Sequence, residues 1–478
     1  MRILFATSEA APFIKTGGLG DVCGALPKAL AAEGVDVRVI LPLYTCMDQT
    51  QKDQMAYLGS FYTNISWRST YCGVFTSKVG NVVYYFLDNE QYFSRPNVYG
   101  EYDDSERFAF FSKAVLDTLN FVDFFPDIIH TNDWQTALLP VYLNAFYRSD
   151  PRYGAIKTVL SIHNIEFQGK YNPIILGSIF GLDVMHRSLL MYDGDLNLLK
   201  GGIESSDRVI TVSKTYAEEI LSPAHSFGLH NILLPRRHKL KGVVNGIDTE
   251  VFNPETDPYI FKNYTYETIR FKSLNKRQLQ KDMGLALSND IPIIGMVTRL
   301  THQKGIDLIC QVADQLSALP IQFIVLGTGD SGYERFFYCL EQAHRDKVRS
   351  YIGFSKEVAQ KIYSGADMFL MPSESEPCGL AQMIAMRYGT IPIVHAVGGL
   401  ADTVTPFHPE EKTGNGITFQ SLHPYDMLDA IHRSIELFYN KPLWRALRKN
   451  AMQSDYSWKK PAQEYLAIYQ EILNERGM

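Results

Sequence analysis

The chain opens with an apolar strand, a glycine-rich loop and a helix, and this succession restricts the fold more than any other feature. The strand runs from Ile3 to Thr7, the loop from Ser8 to Val22, and the helix continues until Gly34 stops it. A second apolar strand follows at once, from Val35 to Leu41. Two strands joined through one helix form a βαβ unit with parallel strands and helices on the faces of the sheet. The first part of the chain is therefore predicted to be an α/β domain with a parallel sheet.

The same alternation restarts in the second half of the chain. A strand from Ile291 to Val297 precedes a loop and a helix from Ile306 to Leu316. An irregular polar segment, from about Asn253 to Asp290, separates the two αβ runs. The remaining predicted strands are Val82–Leu87, Ile128–His130, Thr158–Ile162, Arg208–Val212, Gln322–Leu326, Val348–Ile352, Met368–Met371 and Ile391–Val394. Two doubly wound domains are the fold that this pattern predicts.

The length of the chain allows two or three domains with large cores. Its 478 residues exceed the usual size of one domain. We expect the first domain to span residues 1–242 and the second to span 243–456. A last helix, within 457–478, is expected to pack back on the first domain.

Composition excludes several classes of protein. The net charge of −6 provides no basic excess for nucleic acid, and no apolar run reaches the roughly 18 residues that cross a bilayer. The N-terminal residues form a strand and lack the character of a targeting peptide. Six cysteines are scattered without a C-x-x-C pair. Scattered cysteines predict free thiols in a reducing cytoplasm and neither a disulfide framework nor a zinc site.

A carboxylate and a tight turn follow the predicted strand at Met368–Met371. Pro377 and Gly379 break the strand, and the apolar spacing from Leu380 to Tyr388 indicates a helix. Glu376 therefore lies just before a helix start, where free backbone N–H groups bind anions readily. An ordinary βα turn with a solvated glutamate is the alternative interpretation.

Two cations lie on the loop after the first strand of the second domain. Arg299 and Lys304 follow Val297 and precede the next helix. Cations at this spacing, at the carboxyl end of a parallel strand, suit a diphosphate. The carboxyl ends of parallel strands meet at one edge of a sheet, so this loop is expected to share a crevice with Glu376. A solvated loop with ordinary surface cations remains the alternative.

The glycine-rich loop of the first domain resembles neither common nucleotide motif. The third glycine of the dinucleotide fingerprint is one residue late, at Gly24, and no acidic residue ends the second strand. A Walker A loop is also excluded, because Lys15 precedes the glycines. Either Gly17 and Gly18 allow close backbone approach to a ligand beside Lys15, or the loop is a glycine turn without a ligand.

Polar residues end two strands of the first domain. Asp133 follows one strand and His163 follows another, and both are expected at the edge that carries the Lys15 loop. This arrangement favours a polar sugar pocket over a purely structural histidine. Asp193 and Asp195 are spaced like a metal-binding pair, but they precede a helical stretch and are expected to cap it. We predict no metal and no cofactor.

Taken together, these stretches resemble the bacterial glycogen synthases and the related plant starch synthases. The matching motifs follow the family's order along nearly the whole chain and are highly specific as a set. They are KTGGLGDV at 15–22, NDW at 132–134, IHN at 162–164, NGID at 245–248, TRL at 298–300, QKG at 303–305, EPCGL at 376–380 and GGLADTV at 398–404.

The resemblance implies a fold, an activity and a set of partners. The fold is the glycosyltransferase B fold, in which two Rossmann-like domains face a central cleft. The activity is that of a hexosyltransferase, which transfers glucose with retention from ADP-glucose to the non-reducing 4-OH of an α-1,4-glucan. Glycogen or a maltooligosaccharide would be the acceptor. The resemblance implies neither nucleic acid nor membrane as a partner, and the sequence does not define the oligomeric state.

The resemblance also assigns roles to residues of the second domain. Arg299, Lys304 and the N–H groups around Gly379, from Cys378 to Leu380, would stabilise the departing diphosphate. Glu376 would face the glucose as a stabiliser, because the family is thought to use front-face attack in which the phosphate takes the acceptor proton.

In the first domain, Lys15 and the backbone of Gly17 and Gly18 would approach the diphosphate. His163 and Asp133 would contact the transferred glucose, and Asn245 would lie near it. These assignments come from the positions that match the family's motifs.

Two positions depart from related patterns. Many retaining transferases of this fold have a second glutamate eight residues after the first, where this chain has Ile384. Glycogen synthases also lack it. Phe354 occupies the place of an expected tyrosine that stacks on adenine, so stacking is kept but a hydroxyl is lost.

Two other classes of function are compatible with parts of the pattern. A UDP-sugar transferase or a nucleotide-sugar epimerase would share the diphosphate loops, although the Lys15 motif argues against both. A catalytically silent glucan-binding protein is the other alternative, and it is disfavoured because every expected polar residue is present.

Overall fold

A computed structural model describes residues 1–475 of the chain, which divides into two compact units. The first unit consists of Met1–Gly246 and the segment that begins at Trp458, and the second of Ile247–Ser457. The predicted domain limits, 1–242 and 243–456, stay a prediction. The last three residues of the predicted segment 457–478 lie outside the described residues.

The first unit contains a nine-stranded sheet and a small three-stranded sheet. Its strands, in chain order, are β1 (Arg2–Ala6), β2 (Asp36–Pro42), β3 (Ala56–Ile65), β4 (Arg68–Val79), β5 (Val82–Asp88), β6 (Ile128–Asn132), β7 (Lys157–Ile162), β8 (Lys170–Tyr171), β9 (Met191–Tyr192), β10 (Asp195–Asn197), β11 (Arg208–Thr211) and β12 (Leu240–Gly242). The large sheet has the order β12-β11-β7-β6-β1-β2-β5-β4-β3. The strands from β12 to β5 are parallel, as the βαβ opening predicts.

One edge of this sheet differs from the prediction of a parallel sheet. The strands β3, β4 and β5 are antiparallel, and neither β3 nor β4 was predicted. Two residues separate β3 from β4 and two separate β4 from β5, and Ser66 and Gly80 in these turns have positive φ. Such short connections join only antiparallel neighbours.

Helices cover the first unit's sheet. They are Gly18–Ala32, Gln49–Lys52, Glu90–Phe93, Asp104–Phe121, Leu138–Tyr142, Pro151–Gly154, Ile175–Ser178, Arg187–Leu190, Leu198–Ser205, Lys214–Glu219, His230–Leu233 and Lys459–Asn474. Shorter 3-10 or π turns are Trp134–Thr136, Leu143–Tyr147, Val184–His186 and Leu234–Lys239. The inner strands β1, β6 and β7 are almost completely buried, as strands with two covered faces should be.

The predicted capping role of Asp193 and Asp195 is wrong. Asp193 lies in the hairpin turn between β9 and β10, and Asp195 is the first residue of β10. The side chain of Asn197 caps the following helix by accepting a hydrogen bond from the Lys200 N–H. Because β10 extends to Asn197, the helix begins only at Leu198, and Asn197 lies closer to its start than either aspartate.

The second unit contains a six-stranded parallel sheet. Its strands are β13 (Ile293–Val297), β14 (Gln322–Gly327), β15 (Val348–Ile352), β16 (Met368–Met371), β17 (Ile391–His395) and β18 (Ile417–Phe419), in the order β15-β14-β13-β16-β17-β18. Its helices are Lys272–Asp282, Ile306–Gln311, Ala313–Ala318, Ser331–Ala343, Lys356–Gly365, Ala381–Arg387, Gly398–Thr403, Pro424–Tyr439 and Lys441–Gln453, with 3-10 turns at Ile269–Phe271 and His302–Lys304. The prediction of two α/β domains with parallel sheets is confirmed in both units.

The irregular segment predicted from Asn253 to Asp290 contains a helix. Lys272–Asp282 buries five residues at helical spacing, namely Lys272, Asn275, Lys276, Leu279 and Gln280. Only Leu279 among them is apolar, so the apolar periodicity that predicts a helix is absent from the sequence.

Within residues 1–475, none of the helices is both long enough and apolar enough to cross a membrane.

A buried histidine joins the last helix to the sheet of the first unit. His130 lies in β6, where its Nδ1 is 2.6 Å from the Tyr469 hydroxyl and its Nε2 is 2.6 Å from the Ser161 Oγ. The ring is 1% exposed. Burial, followed by the charge of His163, lowers the pKa of His130 from 6.5 to about 3.

This histidine should make the stability of the protein sensitive to acid. The folded pKa lies below the unfolded one, so between pH 6.5 and about 3 the unfolded chain binds a proton that the folded protein does not. Its contribution to stability is complete above pH 6.5 and is lost as the pH falls, by about 1.4 kcal/mol per unit. In His130→Gln this loss should be absent. The difference in the free energy of unfolding between wild type and His130→Gln should therefore become smaller as the pH falls.

Urea unfolding at several pH values measures this gap. The exposed His432, in the helix Pro424–Tyr439, provides the control variant His432→Gln. A gap between wild type and His130→Gln that is constant with pH would contradict the prediction.

Candidate active site

Two loops of the second unit meet at the carboxyl ends of neighbouring strands. The strands β13 and β16 are adjacent and parallel, so the loop with Lys304 and the loop with Glu376 emerge at the same edge. The Lys304 Nζ lies 2.6 Å from the Glu376 Oε2. The N–H of Glu374 donates to the Gln303 carbonyl oxygen at 2.9 Å. The structure thus brings together the cation and the carboxylate that the sequence places at this edge.

The backbone of these two loops has little conformational freedom. Gly305 has a φ of +70°, and a Cβ at this position would lie 2.0 Å from the Pro372 carbonyl oxygen. A side chain is therefore excluded at Gly305 by conformation and by space. The loop before the helix Ile306–Gln311 is pressed against the end of β16, which keeps Lys304 beside Glu376.

Glu376 is held through one of its two oxygens. Its Oε2 accepts hydrogen bonds from Lys304 and from the Ser373 Oγ, the latter at 3.0 Å. Its Oε1 accepts none from the residues that the structure describes. The side chains of Lys304 and Glu376 are 15% and 9% exposed, so the pair is largely shielded from water. One carboxylate oxygen is fixed and the other remains available to a ligand.

Several hydrogen-bond donors near Glu376 have no acceptor among the described residues. An ammonium group has three N–H donors, and only the contact with Glu376 is observed for Lys304 within residues 1–475. Arg299 is exposed, and within the described residues its guanidinium contacts no carboxylate. The N–H groups of Gly379 and Leu380 donate to no acceptor in the same part of the chain. These cations and N–H groups can hold a phosphorylated ligand.

The remaining predicted residues of the second unit differ in exposure. Cys378 is buried, and its carbonyl oxygen accepts a hydrogen bond from the Gln382 Nε2 at 3.2 Å. Phe354 follows β15 and Gly353, and its ring is 89% exposed. An exposed aromatic ring at the end of a strand offers a flat surface for stacking.

In the first unit, a buried glutamate organises the Lys15 loop. The Glu9 carboxylate accepts hydrogen bonds from the N–H groups of Thr16 and Gly17, from the Thr16 hydroxyl at 2.7 Å and from the Tyr99 hydroxyl at 2.6 Å. Glu9 is only 2% exposed. The Lys15 Nζ lies 2.7 Å from the Asp21 Oδ1 and remains partly exposed. The loop therefore has a rigid base and an accessible cation.

Within the described part of the protein, no steric contact requires a glycine at either of the two positions, Gly17 and Gly18. A Cβ on Gly17 or on Gly18 would meet no heavy atom within 4 Å. By contrast, a Cβ on Gly24 would lie 2.5 Å from the Ala11 carbonyl oxygen, so that glycine serves helix packing.

A second polar cluster of the first unit lies at the ends of β6 and β7. The His163 N–H donates to the Asp133 Oδ1 at 2.7 Å, and the His163 Nε2 lies 2.9 Å from the Asn132 Oδ1. Asp133 has a φ of +55°, which is unusual for a residue other than glycine. Strained backbone of this kind is concentrated at functional sites.

Burial changes the protonation of this cluster. It raises the pKa of Asp133 to about 7, an effect that the N–H groups of His163 and Asn164 oppose and that the Glu9 charge reinforces. Burial also lowers the pKa of His163 to about 4, so its ring is neutral at pH 7.

The Asn132 amide fixes the tautomer of His163. Its Nδ2 donates to the Ala6 carbonyl oxygen at 3.1 Å, so its Oδ1 faces His163 and must accept. The proton of the neutral ring is then on Nε2, and Nδ1 is an acceptor.

Asn245, also in the first unit, is 5% exposed. Its buried Oδ1 has no hydrogen-bond partner among the described residues. This acceptor can therefore bind a ligand donor without giving up a contact inside the described part of the protein.

Sequence reasoning missed the residues that hold the site in place. Glu9 and Ser373 each directly support a predicted site residue or loop, and Gln303 links the two loops of the second unit. A carboxylate that follows a buried strand by three residues, as Glu9 follows Ala6, is the signal that could have indicated the first of these.

Among residues 1–475, no group of three His, Cys, Asp or Glu side chains is close enough to hold a metal ion. The candidate residues of the two units offer cations, N–H groups and carboxylates, which can bind anions and polar ligands.

Comparisons with known proteins agree with this chemistry. Residues 2–234 match the family model described as starch synthase catalytic domain, and residues 280–454 match glycosyl transferases group 1. Glycogen synthase from Clostridium beijerinckii is 47% identical over 99% of this chain and 100% of its own length. Glycogen synthase from Clostridium perfringens is 48% identical over 99% and 98% of the two chains.

Solved structures show the same relationship. The catalytic domain of starch synthase IV from Arabidopsis thaliana, bound to ADP and acarbose, has a TM-score of 0.91 and 33% identity, and the match covers 99% of each chain. A sucrose-phosphate synthase from Thermosynechococcus elongatus has a TM-score of 0.62 at 19% identity, with 99% of each chain covered, and shares the fold alone. The predicted glycosyltransferase B fold is confirmed, and the chain belongs to the glycogen and starch synthase family.

Proposed function

We propose that this chain transfers glucose from ADP-glucose to the non-reducing 4-OH of an α-1,4-glucan, with retention and release of ADP. The observation that carries the proposal is the Lys304–Glu376 pair at the sheet edge that also carries the exposed Arg299. This edge combines charges for a diphosphate with a carboxylate for a sugar. The relative from Arabidopsis, bound to ADP and acarbose, supports the choice of nucleotide.

The second unit stabilises the leaving group. As the bond between glucose C1 and the phosphate oxygen breaks, its electron pair moves to the diphosphate. Arg299, Lys304 and the N–H groups of Gly379 and Leu380 bind the developing charge. Lys304 retains two donors while it contacts Glu376, so it serves both groups at once. We assign Lys15 and the backbone of Gly17 and Gly18, in the first unit, to phosphate binding.

Glu376 stabilises the reacting sugar and does not attack it. The pairing of its Oε2 with Lys304 and Ser373 lowers its nucleophilicity and fixes its position. Its Oε1 accepts a hydrogen bond from a glucose hydroxyl and steadies the positive charge near C1. The acceptor 4-OH attacks C1 on the face that the phosphate leaves, and its proton passes to the departing phosphate oxygen. Configuration is retained without a covalent enzyme intermediate.

The polar cluster of the first unit binds the transferred glucose. The neutral His163 ring accepts a hydroxyl at Nδ1, and the Asp133 carboxyl group, whose Oδ1 accepts the His163 N–H, binds another. The Asn245 Oδ1, which lacks a partner among the described residues, accepts a third hydroxyl. Phe354 stacks on the adenine ring, and Cys378 shapes the turn below the phosphates.

The cytoplasmic location is part of the proposal. Its six cysteines are scattered along the sequence without a C-x-x-C pair, a pattern typical of proteins in a reducing compartment.

A donor assay tests the function. The purified protein is given ADP-glucose or UDP-glucose with a maltooligosaccharide acceptor, and nucleotide release and chain elongation are measured together. We expect elongation with ADP-glucose at a much higher kcat/KM than with UDP-glucose. Preference for UDP-glucose would favour another sugar transferase. Acceptor binding without turnover would favour a glucan-binding protein.

Removal of either diphosphate cation should weaken ADP binding. Charged hydrogen bonds contribute about 1.5–3 kcal/mol each, so Arg299→Ala and Lys304→Ala should each raise the Kd for ADP by roughly 10- to 150-fold. Titration calorimetry measures the Kd. Arg299→Ala is the cleaner variant, because in the free protein it leaves no buried carboxylate without its partner.

The matched control for this prediction is Arg335→Ala, which removes an exposed arginine from the helix Ser331–Ala343. A folded Arg299→Ala protein with the wild-type Kd for ADP would remove Arg299 from the site.

The variant Glu376→Gln distinguishes an effect on catalysis from an effect on ligand binding. Glu376→Gln keeps the shape and the hydrogen bond with Lys304 but removes the negative charge that acts as charge develops at C1. We expect kcat to fall at least 100-fold while the Kd for ADP changes less than threefold, about 0.6 kcal/mol. Steady-state kinetics and calorimetry measure the two quantities. A near-normal kcat with a much raised KM for ADP-glucose would make Glu376 a simple ligand contact.

A further inference from the structure

A cationic cavity lies in the second unit, away from the proposed active site. Its volume is about 190 Å³. It is bordered by the helices Lys272–Asp282 and Lys441–Gln453, by the end of the helix Pro424–Tyr439 and by Asp367, which directly precedes β16. Six of its lining side chains are basic, namely Arg270, Lys272, Lys276, Lys441, Arg445 and Arg448.

One carboxylate of the described lining faces these six cations. The Asp367 Oδ2 lies 2.8 Å from the Lys276 Nζ, and its Oδ1 lies 3.5 Å from an Arg448 terminal nitrogen. Asp367 is therefore divided between two cations, and the Arg448 contact is long. Lys276 and Arg448 are largely shielded from water, and one aspartate shared between them leaves net positive charge in the cavity.

The buried Lys272 uses its hydrogen-bond donors within the protein. Its Nζ donates to the carbonyl oxygens of Tyr363 and Ser364 and to the Thr390 Oγ1, at 3.1, 2.8 and 2.7 Å. Burial, followed by the charge of Arg448, holds its pKa well below the ordinary value of a lysine.

Donors around the cavity also lack partners. The Arg448 Nε and the Trp444 Nε1 are shielded from solvent and donate to no acceptor among the described residues. Arg270 and Arg445 are exposed at the rim, and neither forms an ion pair within residues 1–475. Guanidinium groups with unused donors bind phosphate oxygens in pairs.

The rest of the cavity lining suits a small polar group that is covalently attached to a phosphate. Ser273 and Asn289 provide polar groups, and Phe438 and Trp444 provide aromatic surface. Lys276 and Lys441 lie over the Phe438 ring, at 5.0 and 4.0 Å from its centroid, so both ammonium groups are kept near the cavity.

We propose that this cavity is a second anion site, which binds a small phosphate compound such as inorganic phosphate or a sugar phosphate. Asp367, Lys276, Arg448 and the rim arginines form a site with excess positive charge, which a bound dianion neutralises. The proposal does not rest on the proposed function, because it concerns binding alone.

The site is separate from the proposed diphosphate site. Asp367 precedes β16, whereas Glu376 follows it, and a strand of four residues spans about 13 Å. The cavity is thus at the amino ends of the strands and the diphosphate loops are at the carboxyl ends. The two anions should bind at the same time.

Calorimetric titration with ADP present at saturation tests the site. Inorganic phosphate and glucose 1-phosphate are titrated separately into wild type and into the double variant Arg270→Ala/Arg445→Ala. We expect binding in wild type and at least tenfold weaker binding in the double variant. Tighter binding of glucose 1-phosphate than of inorganic phosphate would support a sugar phosphate as the ligand, and equal binding would support free phosphate.

The control is Lys449→Ala/Arg335→Ala, which also removes two exposed cations from helices of the second unit, outside the cavity. We expect it to bind both probes as wild type does. An unchanged Kd for ADP in both double variants verifies that they are folded. The proposal is overturned if saturating ADP abolishes phosphate binding, or if the cavity variant and the control bind phosphate equally. If ADP itself does not bind, the comparison of the two double variants still decides the question.

Discussion

The contact between Lys304 and Glu376 joins the two loops on which the second unit's site depends. Both side chains are mostly shielded from water, so each needs the other to compensate its charge. The pair is positioned by the backbone beneath it, where Gly305 lies against Pro372 and the Glu376 carboxylate receives the Ser373 hydroxyl. Loss of one member leaves a desolvated charge beside a loop that cannot easily rearrange. Structural stability and the chemistry of the site therefore depend on the same contact.

In the first unit, the candidate residues are held in position mainly by hydrogen bonds. Glu9 fixes the Lys15 loop from below through hydrogen bonds, and Lys15 itself stays accessible. The Asp133 and His163 pair is held at the ends of β6 and β7, and burial moves both pKa values toward neutral side chains. A neutral histidine and a weakly acidic aspartate suit the hydroxyl groups of a sugar better than a phosphate.

The parts of the fold that could be predicted are those that apolar patterns encode. The strands β13 and β16 are short apolar runs, and because strands in αβ alternation run parallel, their loops are expected at one edge from the amino-acid pattern alone. The edge strands β3 and β4 alternate less clearly, and the helix Lys272–Asp282 buries mainly polar side chains. Both were missed because their burial depends on tertiary contacts.

The site was predictable to a similar extent. Arg299, Lys304 and Glu376 follow strands, so the sequence indicates each of them separately as a candidate. Contacts between residues distant in sequence, such as Thr16 with Glu9 or Lys304 with Glu376, have no periodic signal. The same holds for the pKa values of Asp133 and His163, since burial is a property of the folded chain.

The discontinuity of the first unit has a consequence for synthesis on the ribosome. The helix Lys459–Asn474 buries Tyr465, Tyr469 and other residues in that unit, yet it is made after the whole of Ile247–Ser457. At 5–20 residues per second, those roughly 200 residues take on the order of 10–40 seconds. During this interval the second unit can complete its fold, while the first unit exposes the apolar surface that its last helix will cover. Exposed apolar surface of this kind favours aggregation, so the nascent first unit is most vulnerable to aggregation before its last helix is made.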